Sequence, residues 1–170
     1  EAIRRAVLAG AETIEHGDII DVEMGKLMKE HNVTYIPTVA AVDVISQYRG
    51  WKKGVMDPPA NVLNKRKSFK EAIASGVSIG MGGDVGVYPH GENVLEMELM
   101  VEYGMQPFDV LKAATSVNSR AFHLDDRLGF LKPGFISDVV VVAGDPSKNI
   151  SAIRNVLFVM KEGIVYKQVK

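Results

Sequence analysis

Cysteine is missing from this chain altogether. That excludes disulfide staples and thiolate metal sites, so any metal must be held by histidine and carboxylate ligands. An excess of charge of either sign is missing too. Twenty Lys and Arg stand against 21 Asp and Glu, a formal net charge of −1, which argues against nucleic acid or an anionic membrane as the main partner. Long hydrophobic runs are also lacking. Stretches such as Val139–Ala143 are far too short to cross a bilayer. No signal-peptide pattern and no initiator Met open the chain, and a cytoplasmic setting is the expectation. What remains is 170 residues, 46% hydrophobic and 24% charged, a composition suited to a globular domain with a real core.

The opening "EAIRRAVLAGAE" reads as an amphipathic helix without a capping residue, its apolar face formed by Ala2, Ile3, Ala6 and Val7 and its end marked by Gly10. A helix that starts uncapped is expected of a chain from which upstream sequence has been removed. Short apolar runs then alternate with helical spacing. "AETIEH", "VTYIPTV" and "VSIGMGGD" read as strands. "DIIDVEMGKLMKEHN", "VLNKRKSFKEAIASG", "ENVLEMELMVEYG" and "QPFDVLKAATS" read as helices, with Gly76 as a stop and Pro107 in a first turn. Residues 41–60 read as a connection of weak helical character. The composition shifts near Asp125. "GFLKPGFISDVVVV" and "VLFVMKEGIVYKQV" are turn-rich β segments, with Glu162-Gly163 as a hairpin signal. The expectation is an α/β unit of parallel β/α repeats over residues 1–124, followed by a β appendage over 125–170.

In parallel β/α architectures ligands bind at the carboxyl ends of the strands. His16 ends "AETIEH" and Asp84 ends "VSIGMGGD", so both are expected on one face. Gly82, Gly83 and Gly86 around Asp84 permit a sharp turn and a close approach of ligand to backbone. Each residue alone reads as an ordinary turn residue; together, at strand ends two apart, they read as a site. His90 and Tyr88, in "VYPHGEN", either line a substrate pocket or sit on a solvent-exposed loop. His31 and His123 read as structural. "KRKSFK" reads as the solvated face of a helix, and the eight methionines as core filler. "ATSVNSRAF" is expected to pack the last helix against the sheet, with Thr115 and Ser116 supporting the loop that carries Asp84.

The ordered string "AIRRAVLAGAETIEHG", "YIPT", "GVSIGMGGDVG", "PHGEN", "LKAATSVNSRAF", "LGFLKPGFISDVVVVAGDP" and "VMKEGIVYK" covers nearly the whole chain. It resembles the C-terminal part of the amidohydrolase superfamily, on its prolidase-like and imidazolonepropionase-related branch. The resemblance implies strands six to eight of a (β/α)8 TIM-like barrel plus strands of an appended β-sandwich. It implies a divalent metal centre of zinc type at the barrel mouth, with one or two ions and with His16 as a metal ligand or substrate contact. It makes Asp84 both a metal ligand and the general base. The more usual motif at this place reads G-T-D-A-G; here Gly83 and Val85 replace the Thr and the Ala, and the carboxylate stays.

The implied activity is hydrolysis of a C–N bond, of the dipeptidase type (Xaa-Pro or Xaa-Arg-like) on a dipeptide or small acyl-amino acid. Cyclic-amide hydrolysis or deamination of the imidazolonepropionase type is the alternative within the superfamily, and a non-catalytic module that keeps the fold is the alternative outside it. The family's further ligands, on strands one, four and five, have no counterpart in this chain. One histidine and one aspartate fall short of the three protein ligands of a catalytic zinc. The chain alone is therefore expected to be inactive. Its unpaired sheet edges are expected to meet either the N-terminal part of the barrel or a second copy.

Overall fold

The computed structural model describes residues 1–169; Lys170, the last residue of the expected β appendage, lies outside them. Helix α1 (Ala2–Leu8) leads into strand β1 (Thr13–Glu15), α2 (Val22–Glu30), β2 (Thr34–Ile36), α3 (Val39–Tyr48), α4 (Ala60–Ser75) and β3 (Ser78–Ile79). Then come α5 (Val94–Glu102), α6 (Pro107–Lys112), a π-helical turn (Ala113–Val117) and α7 (Asn118–Ala121). Strand β4 (Val139–Val142), a 3₁₀ turn (Ile150–Arg154), β5 (Val156–Lys161) and β6 (Ile164–Gln168) complete the chain.

Local chemistry accounts for the boundaries. Asp21 caps α2 by accepting from Met24 N–H at 2.7 Å. Helix α4 stops at Gly76, whose φ of +72° is the left-handed cap that glycine adopts without strain. Pro107 opens α6, where a missing N–H costs nothing. Residues 41–48, read from sequence as part of a connection, belong instead to α3. Its start is held from a distance rather than by a local cap, so the usual signal is absent.

Strands β1, β2 and β3 form a parallel sheet in that order, with Ile14 opposite Tyr35 and Tyr35 opposite Ile79. The strand "VSIGMGGD" is shorter than its apolar run: it spans Ser78–Ile79, and Gly80 N–H makes one further bond to Tyr35 O. The central strand β2 is buried on both faces. Around it Met28, Val33, Phe69, Ala72, Met97, Leu99, Met100, Tyr103 and Val110 form one apolar core. Helix α4 corrects another expectation: Lys65, Ser68 and Phe69 of "KRKSFK" are buried, whereas Lys67 is exposed.

The second sheet is antiparallel, in the order β4-β5-β6. Glu162 and Gly163 turn the β5–β6 hairpin with φ of +52° and +79°, the primed geometry that matches strand twist. This sheet is tied to α5 by Arg154, which donates to Glu98 at 2.9 and 2.7 Å and to Glu92 at 2.8 Å. Among the described residues no helix is long and apolar enough to cross a membrane.

Candidate functional site

Six non-glycine residues among those described have positive φ. Asn32 and His123 follow helices and Glu162 sits in the hairpin turn, places where such backbone is routine. The other three are His16 (+64°), Thr38 (+48°) and Asp84 (+55°), which follow the C-terminal ends of β1, β2 and β3. A β-branched threonine there is a true outlier and costs on the order of 1–3 kcal/mol. Strain of this kind persists where surrounding groups over-determine it.

At His16 those groups are visible. Its N–H still donates to Ile36 O at 3.0 Å, extending the ladder by one residue. The Tyr35 hydroxyl donates to the carbonyls of His16 and Gly17, each at 3.0 Å. Lys65, 1% exposed, donates to His16 O and, at 2.9 Å, to Asp18. Burial lowers the Lys65 pKa, and the Asp18 carboxylate opposes that shift. The exposed imidazole shares a 2.8 Å hydrogen bond between Nδ1 and Thr38 Oγ1. With Nδ1 as donor, Nε2 keeps its lone pair as an acceptor.

A threonine at a helix N-terminus ordinarily turns its hydroxyl to the helix's own N–H groups. Thr38 makes no such bond. The Val39 and Ala40 N–H groups donate instead to the two carboxylate oxygens of Glu96, at 2.9 and 2.7 Å. Glu96 is wholly buried, and burial pushes its carboxyl up to about 7 against the pull of those two N–H groups and of Lys65.

Asp84 is exposed on the loop after β3. Gly80 N–H donates to Tyr35 O at 2.9 Å. The Asn118 side chain brackets Met81, accepting from its N–H at 3.1 Å and donating to its carbonyl at 2.7 Å. The support expected of Thr115 and Ser116 thus comes from Asn118. Thr115 Oγ1 donates to Leu111 O, and the Ser116 carbonyl accepts from Ser119. The π-helical turn directly precedes Asn118, and turns of this kind are frequent near functional sites.

Gly83 has a physical reason. A Cβ there would overlap the Tyr88 hydroxyl, so a phenol occupies the space that the motif's usual threonine would need. Tyr88 is 4% exposed, and its hydroxyl has no hydrogen-bond partner. Burial, with Glu96 and Asp84 adding to it, pushes that phenol up to about 12 and keeps it protonated. The structure therefore places Tyr88 beneath the loop and His90 out on it, exposed. Among the described residues no three His, Cys, Asp or Glu side chains gather as a metal site.

Lys65 and Glu96 were not legible as site-building residues, yet a signal exists. Lys65 shares the stripe of Val62, Phe69 and Ala72, and Glu96 that of Met100 and Tyr103, all buried. A charge on an apolar stripe must find a partner inside.

The model of the amidohydrolase family matches residues 1–166, and the chain belongs to that family. It is 30% identical to an ochratoxinase of Aspergillus niger over 97% of this chain and 36% of that protein. The crystal structure of A. niger ochratoxinase superposes with a TM-score of 0.82 at 27% identity, covering 98% of this chain and 39% of the other. A Xaa-Pro dipeptidase solved with methionine in its active site superposes with a TM-score of 0.86 at 32% identity, covering 97% and 42%. The chain thus spans about two fifths of the length of the proteins it matches.

Proposed function

We propose that this chain forms the C-terminal portion of a metal-dependent hydrolase that cleaves amide bonds in dipeptides or small acyl-amino acids. In this reading β1 to β3 are the last three strands of a (β/α)8 barrel and residues 125–170 belong to an appended β-sandwich. The outer edges of β1 and β3 are then covered by the rest of the barrel. The observation that carries the proposal is the rim itself: three adjacent parallel strands are each followed by a non-glycine residue with left-handed backbone, and two of those residues are His16 and Asp84. The similarity to a Xaa-Pro dipeptidase supports the substrate class.

The donor set suits a divalent ion such as zinc, since imidazole nitrogen and carboxylate oxygen are both common zinc ligands. His16, with Nδ1 engaged by Thr38, has the outer hydrogen bond that orients metal-bound histidines. His16 and Asp84 would hold the ion together with ligands from beyond the described residues. Once bound, the ion supplies Lewis acidity toward the scissile carbonyl and toward water. Asp84 takes the proton of the attacking water and returns it to the leaving amine. The Tyr88 phenol, protonated, unpaired and buried beneath Gly83, would donate to substrate only after the Asp84 loop shifts.

The test is turnover of a panel of Xaa-Pro and Xaa-Arg dipeptides by the whole protein, with zinc and after chelation. Hydrolysis that disappears on chelation and returns with zinc is expected, and the isolated chain should show none. Undiminished turnover after metal removal would falsify the assignment.

A further inference from the structure

We propose that Glu96 is a positioning residue for the candidate metal centre: its buried carboxylate pins the start of α3, and with it Thr38, the hydrogen-bond partner of His16, while its stem lies beside Gly83, the residue before Asp84. The inference rests on the reading of His16 and Asp84 as ligands. Glu96 comes from α5, outside both loops, and is 0% exposed. An anion buried so completely needs strong partners. Its hydrogen-bond partners are the first two N–H groups of α3, at 2.9 and 2.7 Å, where the helix dipole also favours negative charge.

By capping α3 from a distance, Glu96 leaves the Thr38 hydroxyl free for His16 Nδ1. Without it, the Thr38 hydroxyl, at the N-cap position, is drawn to cap the helix itself, and the imidazole loses its anchor. On its other side the Glu96 stem lies under Gly83: a Cβ built on Gly83 falls 3.5 Å from Glu96 Cβ. The same side chain therefore holds the helix start that follows Thr38, the partner of His16, and lies beside the residue that precedes Asp84. Lys65, Tyr35 and Tyr88 are the titratable groups that feel its charge. A cap with no bearing on the site would leave the imidazole indifferent to it.

The experiment uses the whole protein, stripped of metal and titrated with Co(II). Glu96→Gln keeps the shape of the side chain but replaces one acceptor oxygen with a donor. It should weaken Co(II) binding about 10–100-fold, the range for lost outer-shell partners, and alter the Co(II) visible spectrum. In the metal-free protein it should also shift the ring ¹⁵N resonances of His16, identified by their loss in His16→Ala.

Glu98→Gln is the control. It disturbs the Arg154 pairs on the same helix and should lower the thermal midpoint while leaving Co(II) affinity and the His16 ring unchanged. If Glu96→Gln behaves like that control, Glu96 is structural and the inference is overturned. Thr38→Val breaks the same chain of contacts without altering a buried charge. It should reproduce the loss of affinity even if Glu96→Gln does not fold, and wild-type affinity in Thr38→Val would also overturn the inference. Full Co(II) affinity in both His16→Ala and Asp84→Asn would instead sink the underlying reading of the site.

Discussion

At the N-terminal end of the parallel sheet, His123 Nε2 meets a Glu12 oxygen at 2.9 Å, with the two side chains 73% and 67% exposed. The Glu12 carboxylate raises the His123 pKa, but solvent screens the pair and little beneath supports it. At the C-terminal end an exposed histidine and an exposed carboxylate occur again, as His16 and Asp84. Here the backbone below them is gripped by Tyr35, Lys65, Glu96 and Asn118. The same residue types thus stand at both ends of one sheet. What separates a surface ion pair from a candidate site is the buried polar support, and the difference can be tested.

The largest effect should come from exchanging the carboxylates in turn. Asp84→Asn in the whole protein should lower kcat by about 10²–10⁴-fold, the usual contribution of a positioned base. Glu12→Gln should leave kcat within about twofold. Comparable losses for the two variants in dipeptide assays would erase the contrast between the ends.

Next in size is Lys65→Met, which removes a buried cation from the His16 carbonyl. It should cost about 1–3 kcal/mol in urea unfolding, the penalty for buried groups left without partners. Lys67→Met, two residues on but 77% exposed at its side chain, should change the unfolding free energy by less than about 0.5 kcal/mol. Equal effects would mean that the grip on His16 is not a stability feature.

Glu96 should leave a pH signature. Its folded pKa, near 7, lies above its ordinary value of 4.5, so between those values the folded chain binds more protons at this site than the unfolded one. The contribution is full below about pH 4.5 and is lost as pH rises through about 7, with a limiting slope near 1.4 kcal/mol per pH unit. Urea midpoints at pH 5 and pH 7.5 should therefore lie closer together in Glu96→Gln than in the parent. An unchanged gap would show that the carboxyl titrates normally.

The smallest effect concerns Tyr88→Phe. Removing a buried hydroxyl that lacks a partner should leave stability unchanged or raise it by up to about 1 kcal/mol. KM for dipeptides should stay within about twofold, since the hydroxyl is closed off from solvent. A marked loss of stability would reveal a partner for the hydroxyl.

The alternation of strands and helices, the α4 stop at Gly76 and the Glu162-Gly163 turn were all readable, because each rests on periodicity or on local backbone chemistry. The positions of His16 and Asp84 beyond strand ends were readable for the same reason. Helix α3 was not, since its N-terminus is satisfied by a residue 56 or 57 positions away. Lys65 looked solvated because its neighbours Lys67 and Lys70 are, and its burial depends on the His16 carbonyl reaching it across 49 positions. Asn118, and not Thr115 or Ser116, faces the loop because a π-helical turn resets which side of the helix meets the sheet. Long-range polar contacts leave little trace in local pattern.

The left-handed backbone at Thr38 bears on how this protein responds to selection. Glycine accepts such torsions freely, so a library screened for heat tolerance alone should enrich glycine at 38. The same library screened for turnover should reject it, since the hydroxyl would vanish with the strain. Robustness and activity would pull one codon in opposite directions.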